Sequence, residues 1–480
     1  MNLYNTLTRT LELFTPLNKK KVTLYQCGPT VYWTQHIGNM RAMVMGDLVI
    51  RSLRYLGYDV MSVRNYTDVG HLTSDADTGE DKMSKGAKKE GLTPDEIAEK
   101  YIAQFEHDVS ALNCIVPTVS PRATHHIPEM IAMISTLLKK GIAYETDRAV
   151  YFSVDTFGWD RYTKLSRQKK QDLIAGAGKG DVEDQDKHNQ ADFALWFFRT
   201  GAHAQAMQYW PSPFHSSLVA QGEGFPGWHI ECSAMSIKYL GETLDIHMGG
   251  VEHVSVHHSN EIAQSEAATG KTFVRYWLHN EHLLANGEKM AKSQGTGLSL
   301  EAIIKRRFHP LALRYFFLQA HYRSQQNFTY EGIGASQQAL NNLLQEAFIL
   351  KTRSKQTGKP LPALLKRFKA AIEDDNNVPQ ALSTVWETIN ITASPEDRYA
   401  TLVDFDSVLG LNIEHYASIP IPSAVTTLLH TRHELRDKKE FGKADALRDQ
   451  LEDLGFIVED TTEGAIVKPK DPLAFDSKTG

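Results

Sequence analysis

Apolar residues cluster in a short run over Lys21–Gln26 and again over Tyr58–Tyr66, and both runs read as strands. Between them, Met43, Asp47, Leu48, Leu53 and Leu56 fall at helical spacing and predict a helix over Met40–Leu56. Together these make a β-α-β unit. Such units build parallel sheets, whose ligands sit at the carboxyl ends of the strands beside helix N-termini.

From about Pro117 to Phe225 the pattern is irregular, and a Gly- and charge-rich stretch, Gly176–Asn189, reads as an exposed insertion. Strand patterns return at Thr243–His247 and Phe273–Leu278, with helical stretches at Trp228–Leu240 and His257–Thr269. The second half of the sheet is expected there. Beyond Leu298 the pattern is mainly helical, including Pro310–Leu318, Ala335–Leu350 and Leu361–Ile372, with a polar break over Thr352–Lys359. After the Pro-containing segment Ile419–Pro422, two helices and a turn at Glu459–Gly464 between short β-like pieces predict a last small module.

A chain of 480 residues is long for one core, so several domains are expected. Its 41% hydrophobic and 23% charged residues match an ordinary globular protein. The apolar run Ala42–Ile50 is broken by Asp47 and falls short of a bilayer span, so membrane insertion is not expected. Met1–Phe14 lacks the features of a secretory signal, so a cytoplasmic protein is expected. Three cysteines, Cys27, Cys114 and Cys232, are too few to staple a chain this size and are expected as free thiols. A formal charge of −6 excludes a uniformly basic surface, so any nucleic-acid contact must come from local patches.

His257 and Glu261 stand four apart, so on a helix both project from one face and can meet a single ion. Cys27 directly follows the first predicted strand, and Cys232 lies on the helix that opens the second half of the sheet. Two thiolates, an imidazole and a carboxylate are all acceptable zinc ligands. Spacing leaves open the alternative that the cysteines are buried apolar residues and His257 merely packs. His253 and His258 crowd the same segment, and spacing does not choose among the three histidines. Cys114 has no candidate partner and reads as core.

The stretch Cys27-Gly-Pro-Thr-Val-Tyr-Trp-Thr-Gln-His36-Ile-Gly-Asn39-Met-Arg41 joins a strand to a helix and resembles the HIGH signature of class I aminoacyl-tRNA synthetases. Free N–H groups at a helix N-terminus suit phosphate, and Gly38 permits close approach. Lys289-Met-Ala-Lys292-Ser293 resembles the partner KMSKS loop, with alanine for its first serine. Lysines in that loop can stabilise charge developing on pyrophosphate. Lys82-Met-Ser-Lys85-Gly86 also looks like this motif but precedes the second half of the sheet, so it reads as an exposed loop or helix start.

The chain is further similar to the cysteinyl-tRNA synthetase family through Leu24-Tyr-Gln-Cys27-Gly-Pro-Thr, Arg64-Asn-Tyr-Thr67-Asp68, Pro121-Arg-Ala-Thr-His-His126, Gly227-Trp-His-Ile-Glu-Cys232-Ser-Ala-Met and His257-His-Ser-Asn-Glu261-Ile-Ala-Gln. The likeness continues through Arg314-Tyr-Phe, Asp374-Asp-Asn-Asn-Val-Pro-Gln and Lys443-Ala-Asp-Ala-Leu-Arg448, covering nearly the whole chain.

The resemblance implies an α/β fold with a Rossmann-like parallel-sheet catalytic domain split by a connective insertion, followed by a helical bundle and a small C-terminal α+β module. On that reading residues 1–116 and 226–298 are the two catalytic halves and 117–225 the insertion. Residues 299–340 would meet the acceptor stem, 341–418 would form the tRNA-binding bundle, and 419–480 would read the anticodon. It implies one Zn²⁺ per chain on Cys27, Cys232, His257 and Glu261, and ATP contacts from His36, Gly38, Asn39, Lys289 and Lys292, with His36, Asn39 and the two lysines catalytic. Gly28, Thr67 and Trp228 match the neighbourhood of the substrate amino acid. The implied partners are ATP with Mg²⁺, L-cysteine and tRNA-Cys, for a monomer.

Zinc suits this chemistry because a thiol and a hydroxyl differ too little for a plain pocket, at about 1–3 kcal/mol, whereas a metal prefers the softer thiolate. Where the family commonly has an aspartate, this chain has Glu252, one methylene longer. Arg432, Arg436, Lys438, Lys439, Lys443 and Arg448 could meet tRNA phosphates, yet Glu434, Asp437, Glu440, Asp445 and Asp449 interleave with them, and pattern alone favours a salt-bridged surface. Two rival readings are a ligase joining cysteine to an amino sugar in thiol biosynthesis and a catalytically silent RNA-binding paralogue.

Overall fold

The computed structural model describes residues 1–480 except 70–71, 75–77, 172–185, 286, 290–297, 462–463 and 479–480. Its centre is a four-stranded parallel sheet in the spatial order Val274–Asn280, Leu244–Gly250, Lys21–Gln26, Asp59–Arg64. All seven residues of Leu244–Gly250 are buried, as a parallel strand covered on both faces requires. The helix Ile37–Tyr55 makes the first crossover, and Trp228–Leu240 and His257–Thr269 flank the second half. Each half of the sheet grows outward from the adjacent pair Lys21–Gln26 and Leu244–Gly250. That pair is therefore the switch point, where a crevice opens beyond the carboxyl ends.

Alternation along Lys21–Gln26 sends Leu24 into one core and Tyr25 into the other. The Leu24 side is shared with Ile37–Tyr55 and the C-terminal helices, whereas the Tyr25 side is shared with the insertion. The irregular pattern over 117–225 conceals an ordered antiparallel sheet of Gly224–Pro226, Phe193–Phe198, Ala149–Phe152 and Ala143–Glu145, preceded by the helix Ile127–Lys139. Its strands are short, and Phe193–Phe198 is buried along its whole length, so no two-residue alternation reveals it. The expected insertion Gly176–Asn189 lies largely outside the described residues.

Two further expectations are corrected. Short strands at Asn2–Asn5 and Thr10–Leu13 precede Lys21–Gln26, so Cys27 does not follow the first strand. Lys82 begins a helix, Lys82–Glu90, but not an exposed one: Met83, Ser84, Gly86 and Ala87 are buried, because Met83 and Ala87 join the core. In the C-terminal half the helices Pro310–Leu318, Tyr330–Arg353, Pro362–Glu373, Val378–Asn390 and Pro395–Leu409 pack together, followed by Ser423–Asp437, Phe441–Asp453 and the hairpin Phe456–Thr461/Gly464–Pro469. Among the described residues no helix is long and apolar enough to cross a membrane.

Candidate active site

The strand Lys21–Gln26 ends at Cys27, whose N–H donates to the Met248 carbonyl of the neighbouring strand. Gly28 N–H donates to Asn65 Oδ1 at 2.9 Å, and Asn65 Nδ2 donates to Thr67 Oγ1 at 3.2 Å. Val31 and Thr67 exchange main-chain bonds with Thr67 and Pro29, which ties the loop after the first central strand to the loop after Asp59–Arg64. These loops floor a cavity of about 480 Å³ lined by Cys27, Gly28, Thr67, Trp228, Cys232 and His257.

Cys27, Cys232, His257 and Glu261 each offer one donor atom, all within 4.8 Å of one another, and all four residues are buried. His257 Nε2 stands 3.1 Å from Glu261 Oε1, as the spacing of four on one helix turn dictates. That oxygen is buried and, despite the His257 contact, makes no hydrogen bond of good geometry among the described residues, which fits a carboxylate aimed at a cation. A second set, Cys27, His247, His258 and Glu261, satisfies the same distances. In it His258 Nε2 lies 3.3 Å from Cys27 Sγ, and His247 Nε2 lies 2.9 Å from Glu261 Oε2. The donor chemistry of both sets suits zinc.

Histidines surround this cluster. His229 Nδ1 is 3.0 Å from His257 Nδ1, His258 Nδ1 is 2.7 Å from His279 Nε2, and Trp228 stacks on the His257 ring at 4.1 Å. Burial drives the pKa of His258 well below its ordinary value, helped by His247 and His279, so the ring stays neutral at pH 7. Burial likewise pushes the Cys27 thiol well up, helped by Cys232. A cation would reverse that by favouring thiolate.

A smaller cavity adjoins the first, lined by His36, Gly38, Asn39, Glu252, Asn280, Glu281, His282 and Leu283. His36 caps the helix Ile37–Tyr55: its Nδ1 accepts from Asn39 N–H at 3.2 Å while Asn39 Oδ1 accepts from His36 N–H at 3.3 Å. Both residues line both cavities, as does Glu252, whose carboxylate sits 3.6 Å from His282 Nδ1. Lys289 pairs through its backbone with Leu284, whereas Lys292 and Ala291 lie outside the described residues.

His229, His247, His279 and Asn65 join the site although the motifs single out none of them as a site residue. For His247 an available signal was the strand ending in the switch-point crevice. Cys114, expected in the core, is half-buried at its edge. Of the basic residues in the last module, Arg432, Arg436 and Arg448 all meet Asp460, and Lys443 meets Glu440, so the salt-bridged reading describes them.

The parallel sheet, its switch-point crevice and the histidine-capped helix beside it lie within a region that matches a class I aminoacyl-tRNA synthetase catalytic domain. Residues 13–338 match the family described as tRNA synthetases class I (C) catalytic domain, and residues 420–465 match the cysteinyl-tRNA ligase anticodon binding domain. The chain belongs to the cysteinyl-tRNA ligase family, whose members are aminoacyl-tRNA ligases. It is 44% identical to cysteine–tRNA ligase 1 of Burkholderia lata, covering 96% of this chain and 95% of that protein. It is 41% identical to a cysteine–tRNA ligase of Thermus thermophilus, covering 96% and 98%. The fold is similar to a methionyl-tRNA synthetase of Mycobacterium tuberculosis bound by methionyl-adenylate, at TM-score 0.57 and 14% identity over 85% of this chain and 94% of that one. It is also similar to the ternary LeuRS–tRNA–LeuAMS complex of Agrobacterium radiobacter, at TM-score 0.59 and 11% identity over 84% and 85%.

Proposed function

We propose that this chain activates L-cysteine with ATP to cysteinyl-adenylate, releasing pyrophosphate, and transfers the cysteinyl group to the terminal adenosine of tRNA-Cys. The carrying observation is the meeting of Cys27, Cys232, His257 and Glu261 at the end of the cavity that Gly28, Thr67 and Trp228 line. One Zn²⁺ held by those four residues supplies selection of a thiol over a hydroxyl. Gly28, Thr67 and Trp228 hold the rest of the amino acid.

ATP occupies the adjoining cavity, where His36, Gly38 and Asn39 present the N-terminus of Ile37–Tyr55 to phosphate. Mg²⁺ travels with the phosphates rather than in a protein cage. Lys289 and Lys292 stabilise charge on the departing pyrophosphate. No protein nucleophile is needed, because the two cavities share His36, Asn39 and Glu252 and bring carboxylate and α-phosphate together.

Residues 1–116 and 226–298 serve as the catalytic halves and 117–225 as the connective insertion. Residues 299–340 face the acceptor stem, 341–418 bind tRNA, and 419–480 read the anticodon. The protein acts as a cytoplasmic monomer. Cysteine-dependent exchange of pyrophosphate into ATP tests the first step, and charging of tRNA-Cys against amino-sugar acceptors tests the second. No exchange by zinc-loaded protein, or transfer to the sugar alone, would defeat this reading.

A further inference from the structure

Arg41 sits on the helix Ile37–Tyr55, just past the capping pair His36 and Asn39, and is 0% exposed. Its guanidinium donates to three main-chain carbonyls: Glu281 from one end, and His321 at 3.2 Å and Ser324 at 2.9 Å from the other. It makes no ion pair among the described residues, and its Nε is buried without a hydrogen-bond partner. A buried cation is costly unless geometry and donors are well satisfied. Held by carbonyls instead of a carboxylate, this one fixes two chain segments, at Glu281 and at His321–Ser324, against its own helix.

Each segment leads somewhere. Glu281 and His282 line the smaller cavity together with His36 and Asn39, so the bond from Arg41 to Glu281 spans its two sides. The segment from His321 is anchored in turn on Asp375, in the turn between Pro362–Glu373 and Val378–Asn390. His321 Nε2 lies 3.0 Å from the Asp375 carbonyl, Tyr322 Oη donates to Asp375 Oδ1 at 2.7 Å, and Arg323 Nε donates to Oδ2 at 2.6 Å. Asp375 and Asn376 both take left-handed backbone, at φ 52° and 54°, a strained pair that tertiary bonds must hold. Ser52 donates to Asn376 Oδ1 at 2.6 Å, which returns the chain of contacts to the helix where it began.

We propose that Arg41 is a positioning residue for ATP, setting the separation of the two sides of the smaller cavity. The Asp375 turn of the helical region holds that clamp in place through His321, Tyr322 and Arg323. The proposal rests on reading the smaller cavity as the nucleotide site. It places the control of ATP geometry partly in a helical turn that never touches the nucleotide.

The test is cysteine-dependent pyrophosphate exchange with purified, zinc-loaded wild type, Arg41→Lys, Tyr322→Phe and the double variant. Arg41→Lys keeps the charge but loses the fork, and it should raise KM for ATP about tenfold with KM for cysteine and zinc content unchanged. Tyr322→Phe removes one hydroxyl and should raise KM for ATP about threefold. The double variant should fall short of the product of the two, because both loosen one clamp. A lowered melting temperature with unchanged KM for ATP in Arg41→Lys would reduce the residue to a core prop and overturn the proposal. A double variant equal to the product would overturn the link to Asp375. Should Arg41→Lys not fold, Tyr322→Phe decides alone, an unchanged KM for ATP overturning the clamp. Failure of exchange in the wild type strikes the reading of the site itself, and so is distinguishable from these outcomes.

Discussion

Gly28 lies so close to Asn65 that a β-carbon on it would stand 1.6 Å from the Asn65 carbonyl oxygen. The obstacle is backbone, so the loop itself would have to move. Asn65 also takes the Gly28 N–H and lies 3.8 Å from Cys232 Sγ, which makes this contact the joint between the thiol cluster and the floor of the larger cavity. Gly28→Ala should therefore lower kcat/KM for cysteine in pyrophosphate exchange by about a hundredfold, the cost of roughly an ångström of misplacement. Near wild-type kinetics in that variant would show that the loop yields freely.

The proposed zinc site predicts a separate behaviour. Wild-type protein should carry near-stoichiometric zinc by metal analysis, whereas Cys232→Ser and Glu261→Gln should lose most of it. Dialysis against a chelator should leave cysteine favoured over serine by only ~10–200-fold, what one small group can supply in a plain pocket. Zn²⁺ but not Mg²⁺ should restore both metal content and discrimination. Metal-free protein that still rejects serine strongly would remove zinc from selection.

Asp47 and Arg314 form an ion pair at 2.6 Å with side chains 2% and 0% exposed. Arg314 also bonds the Leu112, Asn113 and Leu409 carbonyls, so it ties the catalytic region to the helical one. Asp47→Asn removes the carboxylate bonded directly to that buried guanidinium and should cost about 3–5 kcal/mol in denaturant unfolding. A loss below about 1 kcal/mol would mean that the carbonyls alone satisfy Arg314.

The last module should weaken in acid. Arg432, 1% exposed, donates two 2.8 Å bonds to Asp460, and those bonds hold the Asp460 carboxyl below its ordinary range. A carboxyl with a lowered folded pKa contributes stability that is fully present above its unfolded value, about 3.9, and is lost as pH falls through the folded value. Amide exchange of Phe456–Thr461 should thus accelerate below roughly pH 4 relative to the central sheet. Asp460→Asn should show faster exchange already at pH 7 and little further change in acid. An unaltered pH profile in that variant would assign the effect to other carboxyls.

Regular elements were legible where a short period repeats. Helices Trp228–Leu240, His257–Thr269 and Pro310–Leu318 and the strand Lys21–Gln26 run over the residues their patterns predict. The antiparallel sheet within 117–225 was not, since Phe193–Phe198 is buried throughout and shows no alternation. Helix Lys82–Glu90 looked exposed because its lysines dominate its composition, although Met83 and Ala87 alone suffice to bury one face.

Within the site, the motifs named Cys27, Cys232, His257 and Glu261, and the i, i+4 spacing alone joined the last two. The meeting of Cys27 with the histidine helix involves residues 231 positions apart, such as Cys27 and His258, and depends on which strands lie side by side. Sequence by itself determined the elements of the central sheet and the helices beside it, the family, and the residue types able to bind metal and phosphate, because these are written in local periodicity and in motifs. Only the tertiary structure decided that Lys21–Gln26 and Leu244–Gly250 are neighbours, that His247 and His258 join the thiol cluster, and that Arg41 meets the Asp375 turn through His321. Those pairings come from packing apolar faces across the sheet and satisfying buried polar groups between distant segments, terms that no local window of the chain contains.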